Sequence, residues 1–192
     1  MTKKITTTIM VRAALLGAIA AVLMQFGLRM PIFPGFLSLD IGDLPALIGA
    51  ITTGPLTGLL TLLIKNLINP IIFGTNTGGI GNFADFVMGA ALILPIGIIF
   101  KKRKDNLGYI IGSAAGLVCL TIVASIMNYF VLIPLFSRIF MPMERILELA
   151  YAVNSNVTSL STLILFAIIP FNLLKGTAVL ILGFIIYKYL AK

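Results

Sequence analysis

Asn172 and Lys175 are the residues of this chain most capable of chemistry. They lie in Pro170-Phe171-Asn172-Leu173-Leu174-Lys175-Gly176, at the front of the last long apolar run. Spacing i, i+3 puts a carboxamide and an ammonium on one face of a helix. A lysine inside a membrane helix costs roughly 2.5–3.5 kcal/mol on insertion scales, so it turns to a partner or a wet cavity. Two readings are open. Lys175 snorkels to the interface or neutralises a structural acid, or the pair belongs to a polar ligand site in a membrane bundle.

The elements that must hold these residues are membrane helices. Of 192 residues, 59% are hydrophobic and only 10% are charged, against about 25% charge in a soluble domain. The expected fold is an all-α integral membrane protein, with residues 1–192 forming one domain. The net charge of +8 comes from basic residues scattered between apolar runs, with no basic patch interleaved with aromatics, so nucleic acid is not an expected partner. One cysteine, Cys119, excludes a disulfide within the chain, and there is no histidine. That removes the commonest metal ligand and general base. The basic flank Lys3-Lys4 precedes a run long enough to span and lacks a small-residue cleavage site, which reads as a retained first helix.

A spanning helix needs about 20 mostly apolar residues. The first runs from about Val11 to Leu28 and carries Ala14, Gly17, Ala18 and Ala21, small residues that let another helix approach closely. That face suits packing within the bundle or docking of a partner subunit. Met30 to Pro45 reads as a structured loop folded back over the bundle. Within it, Asp43 is expected to cap a short second helix over Leu44–Thr52, with Pro45 in its first turn. A third helix covers Leu56–Phe73 and a fourth about Ile80–Phe100. The glycine-rich turn Gly74–Asn82 between them has no Gly-Lys-Ser/Thr ending and is not a P-loop.

A fifth helix is expected from about Gly108 to Ile133, with Pro134 opening a long connection. A short amphipathic helix over Met143–Ala152 follows. Thr158–Ile169 is too short to span. Either it begins a long helix kinked at Pro170 or it is interfacial; the second is expected, with a sixth helix from Phe171 to Tyr189 carrying Asn172 and Lys175 in its first turns.

Basic residues accumulate on cytoplasmic loops. Six transmembrane helices with both termini cytoplasmic put Lys3, Lys4, Arg12, Lys101, Lys102, Arg103, Lys104, Lys188 and Lys192 inside, and Arg29, Arg138 and Arg145 outside. The Phe36–Asp43 loop, the Gly74–Asn82 turn, Asn128, Asn172 and Lys175 then converge near the outer face, as a small-molecule site requires. Lys65 lies roughly 12 Å below the outer end of helix three at 1.5 Å per residue. Asp85 lies at a similar depth on helix four, and the two are expected to pair. No ATP-hydrolysing motif, catalytic triad or metal cluster is present, so the chain can bind a solute but needs outside energy to move it.

Several stretches together resemble a known family: Phe36-Leu37-Ser38-Leu39-Asp40-Ile41-Gly42-Asp43-Leu44-Pro45, Lys65-Asn66-Leu67, Gly74 to Gly81, Asn128-Tyr129-Phe130 and Pro170 to Gly176. They are similar to the substrate-binding (S) subunits of energy-coupling factor (ECF) vitamin transporters, and within these to the riboflavin-specific group. The resemblance implies six helices in a cell membrane and a vitamin held near the outer face under the first loop. It implies a transmembrane coupling subunit and two ATPase subunits as partners. Riboflavin would be the transported ligand, with no cofactor. Asn128, Asn172 and Lys175 would bind the flavin. Phe36, Leu39 and Phe171 would wall its ring, Asp40 would lie beside it, and Thr75 and Asn76 would reach the ribityl hydroxyls. Ala14, Gly17, Ala18 and Ala21 would dock the coupling subunit. Lys175 would lack an acid partner because a neutral, carbonyl-rich ligand takes that place. The alternative from another class is an autonomous secondary transporter or channel for a small organic solute. An enzyme is not expected.

Overall fold

A computed structural model describes residues 6–75 and 77–190, and for Leu190 the backbone alone. The described residues are helical, apart from loops and one isolated antiparallel bridge between Leu28 and Leu39. Helix α1 covers Thr7–Leu23, α2 Leu44–Thr52, α3 Pro55–Phe73, α4 Ile80–Lys102 and α5 Asn106–Met127. α6 covers Ile133–Ile139, α7 Met143–Tyr151, α8 Leu160–Leu163 and α9 Ile169–Leu190.

Two helices run on where prolines were expected to stop them. α5 continues through a π-helical turn at Asn128–Leu132 into α6, so that Asn106–Ile139 is one stretch of 34 residues. α8 continues through a π-helical turn at Ile164–Ile168 into α9, so that Leu160–Tyr189 is another of 30. The expected break at Pro134 and the expected fresh start at Phe171 are both corrected. A proline has no N–H to give, and its ring crowds the carbonyl four residues back. Each proline here lies two residues past the end of a π turn. The Ile133 N–H bonds the Asn128 carbonyl and the Ile169 N–H bonds the Ile164 carbonyl, each five residues back. The wider turn lets the helix pass Pro134 and Pro170.

Among the described residues, five helical stretches are long and apolar enough to cross a membrane: Thr7–Phe26, Pro55–Phe73, Ile80–Lys102, Asn106–Ile139 and Leu160–Tyr189. α2, with nine residues, is too short to span by itself. Glycines bring the helices together. Gly17 of α1 packs on Thr61 and Ile64 of α3, and Gly58 of α3 on Ala46 and Ala50 of α2. Gly89 of α4 meets Leu62, Gly112 and Gly116 of α5 meet Ile96 and Leu92, and Gly176 of α9 meets Leu117 and Leu120. These pairings make α1 parallel to α3, with α2 and α4 antiparallel to both, and α5 and α9 antiparallel to each other. A Cβ at Gly116 would run into the Leu92 carbonyl, so the α4–α5 approach depends on its absence.

The core between the helices holds Leu47, Leu62, Leu92, Ile93, Ile96 and Val179, all fully buried. The outward surface is apolar as well: Ile71 is 81% exposed and Phe130 69%. A surface of that kind belongs in lipid. Asp105 caps α5, accepting the Gly108 N–H at 2.7 Å; that bond and the Arg103 guanidinium hold its carboxyl below the usual carboxylate range.

Candidate ligand-binding site

The site is built on a buried charge network. Lys65 of α3 is fully buried, and its Nζ lies 2.5 Å from Asp43 Oδ1 and 2.5 Å from Asp85 Oδ2. The expected Lys65–Asp85 pair is present. The expected role of Asp43 is corrected: it stands at the N-cap of α2, but its side chain makes no capping bond. A buried ammonium is a stronger partner than a backbone N–H, because a charge removed from water must be compensated. Asn66 adds an N–H to Asp85 Oδ2 at 3.1 Å.

Lys175 joins the same network. Its Nζ donates to Asp40 Oδ2 at 2.8 Å and to Asp85 Oδ1 at 3.2 Å. The expectation that Lys175 lacks an acid partner is therefore overturned. The acids come from the first loop and from α4, 135 and 90 residues away in sequence, and helical spacing around Lys175 carries no trace of them. Asp40 is held in turn by the Gly42 N–H at 2.8 Å.

Above this floor lies a cavity of about 430 Å³. It is lined by Asp40, Asp43, Asp85 and Lys175, by Asn69, Asn82, Asn128 and Asn172, and by Phe36, Thr75, Phe171 and several apolar groups. A second cavity of about 540 Å³ adjoins it and shares Phe36, Leu37, Thr77, Gly81, Ala84 and Asn128 as walls. Its other walls are mostly apolar, among them Ile80, Leu132, Ile133, Phe136 and Ile146, with Arg29 also on its lining.

Both π-helical turns serve this cavity. Asn128 opens one and Asn172 follows the other, a placement often seen for π turns at functional sites. Asn128 Nδ2 donates to the Ala124 carbonyl at 2.8 Å, and Asn172 Nδ2 to the Ile168 carbonyl at 2.9 Å. Each carboxamide keeps its oxygen and a second N–H for other partners.

The first loop covers the cavity and is pinned at both sides. Leu28 and Leu39 exchange backbone hydrogen bonds at 2.8 and 2.9 Å. The Phe33 ring meets the Phe171 ring edge-on, with centroids 5.3 Å apart.

Of the residues expected here, Phe36, Asp40, Thr75, Asn128, Phe171, Asn172 and Lys175 do line the cavity. Leu39 does not. Neighbours on extended backbone point opposite ways, so Ser38 and Asp40 face the cavity while Leu39 is taken up by its pairing with Leu28. The Thr75 hydroxyl is committed to its own loop, accepting the Thr77 and Gly79 N–H groups. Asn76 lies outside the described residues. Asn69 and Asp85 line the cavity as well, unexpectedly, each a polar residue in an apolar run, while Asp43 and Asn82 end the two stretches expected to converge near it. Asn82 donates to Asn69, and Asn69 to the Ala21 carbonyl at 3.1 Å.

The expected docking face divides. Gly17 and Ala21 are buried against α3 inside this subunit, which corrects their assignment, whereas Ala14 and Ala18 are exposed. Residues 13, 17, 20 and 21 turn inward; on a helix of 3.6 residues per turn 18 lies well round from that face and 14 at its edge.

Residues 9–187 match the family model described as the ECF transporter, substrate-specific component. The chain belongs to that family. This S component is 35% identical over 182 residues to the riboflavin transporter RibU of Staphylococcus aureus (strain TCH60), covering 95% of this chain and 89% of that one. It is 30% identical over 179 residues to the riboflavin transporter FmnP of Bacillus subtilis (strain 168), covering 93% and 89%. Its fold matches a solved structure described as the S component of a bacterial ECF transporter, with TM-score 0.74, 32% identity and coverage of 96% and 95%. Membership of this family makes the chain a multi-pass membrane transport component and not an enzyme.

Proposed function

We infer that this S component binds riboflavin at the outer side of a bacterial cell membrane and hands it inward with ATP-driven partner subunits. The observation that carries this is the joined pair of cavities, one polar and charged at its floor and the other apolar, in a chain 35% identical to a riboflavin transporter. Riboflavin has the matching halves. Its pyrimidine-like edge carries donors and acceptors for Asn128, Asn172 and Lys175, and its dimethylbenzene end is apolar. Phe36 and Phe171 flank the ring. The flavin is cargo, not a cofactor.

Six membrane segments with both termini cytoplasmic accord with the alternating helix directions. α2 and the loop before it together complete the second crossing, since α1 and α3 run parallel. The whole chain then acts as one binding domain. The test is optical. The purified protein should be yellow, with a flavin spectrum, or should quench the fluorescence of added riboflavin. A colourless preparation that leaves the fluorescence unchanged would overturn the reading.

The energy comes from elsewhere, because the chain has no nucleotide-binding motif. A transmembrane coupling subunit and two ATPase subunits are the partners that fit this family. The exposed face of α1, with Ala14 and Ala18 among Val11, Leu15 and Val22, offers a shallow apolar surface to such a helix-bearing partner. Ala14→Trp and Ala18→Trp should leave riboflavin affinity within about twofold and abolish co-purification with the coupling subunit. Lost affinity with intact co-purification would place that face elsewhere.

A further inference from the structure

The charge network holds one acid more than neutrality requires. Lys65 has Asp43 for itself, and Lys175 has Asp40. Each ammonium is thus already paired, yet Asp85 adds a third carboxyl group between them. An extra buried carboxylate is costly when neutrality is already met, so its retention calls for another role.

The two oxygens of Asp85 differ. Oδ2 is spent on Lys65 at 2.5 Å and on the Asn66 N–H at 3.1 Å. Among the described residues, Oδ1 has the single long contact to Lys175, 3.2 Å, and the side chain of Asp85 lines the cavity at 12% exposure, beside Lys175 at 14%. A carboxylate oxygen has a second lone pair, and an ammonium with two acids has a third N–H. An acceptor and a donor therefore stand side by side on the cavity floor.

We propose that Asp85 Oδ1 and Lys175 Nζ together read a cyclic imide edge, Asp85 accepting the imide N–H and Lys175 donating to the adjacent carbonyl. The proposal rests on the riboflavin reading and deepens it: the flavin enters with its N3–H and a neighbouring carbonyl facing the floor. Asp85 is then a specificity-determining residue. It discriminates against any ligand that cannot donate at that position, because its oxygen would be left facing a group it cannot bond.

The test compares riboflavin with N3-methylriboflavin, which keeps both carbonyls and the ring but lacks the imide N–H. Wild-type protein should bind the methylated flavin roughly 10–100-fold more weakly, the range for a lost hydrogen bond to a charged group. In Asp85→Ala that ratio should fall to about threefold or less, because the acceptor is gone and the methyl group has room. The variant retains one acid for each lysine, which favours folding. Asp85→Asn, closer in shape, should give a ratio between the two and serves if Asp85→Ala is not recovered. A ratio unchanged in either variant would overturn the proposal, because a residue that only supports the fold would weaken both flavins alike. A wild-type ratio near one would overturn it as well. Failure of the riboflavin reading is seen separately, as wild-type protein that binds neither flavin.

Discussion

Lys65→Met is expected to cost the protein about 3–5 kcal/mol of stability, the range for breaking a buried ion pair by removing one partner. Lys65 has no exposed surface, and its ammonium contacts two carboxylates from different elements. The measurement is the thermal unfolding midpoint of the detergent-purified protein. The two acids are not equally stranded by the loss. Asp43 has no other side-chain partner among the described residues, whereas Asp85 retains Lys175 and Asn66. Adding Asp43→Asn should therefore restore more stability than adding Asp85→Asn. Equal rescue by both, or an unshifted midpoint in Lys65→Met alone, would show that the network does not anchor α2 to α3 and α4.

Lys175→Met is expected to weaken riboflavin binding by about 1.5–3 kcal/mol, or roughly 10–150-fold in Kd. It removes an ammonium that lines the cavity. Among the described residues it also leaves Asp40 with only the Gly42 N–H, which loosens the first loop over the cavity. Fluorescence quenching titrations give the affinity directly. Asn172→Ala should produce a smaller loss, because one N–H of Asn172 is already spent on the Ile168 carbonyl. Unchanged affinity in both variants would reduce Lys175 to the partner of its acids.

Much of the site was legible in the chain. Asn172 and Lys175 stood out because a carboxamide and an ammonium in an apolar run demand partners. Lys65 and Asp85 could be matched because both lay at similar depth on neighbouring helices. The first loop, with two prolines and several apolar side chains, read correctly as a cover. The errors have specific causes. Asp43 precedes a proline-led helix and so resembles a cap; only the depth of Lys65 beside it reveals a different partner. Pro134 and Pro170 look like helix ends, and a π turn before each is a local accommodation that leaves no pattern in composition. Leu39 suits a cavity wall by residue type, but the loop's register, set by its pairing with Leu28, takes it away from the cavity.

The sequence by itself determined the solvent of this protein, the approximate positions of its first four helices and the residue types of its site. Those follow from run lengths, hydropathy and the cost of charge in lipid, all of which are local properties. The tertiary structure decided which charges meet. Asp40, Asp43 and Asp85 reach Lys65 and Lys175 only because glycine-mediated packing brings α2, α3, α4 and α9 within side-chain reach. The same packing turned Gly17 and Ala21 inward and left Ala14 and Ala18 outside. Such pairings depend on the distance and rotation between helices far apart in the chain, which spacing along one helix does not encode.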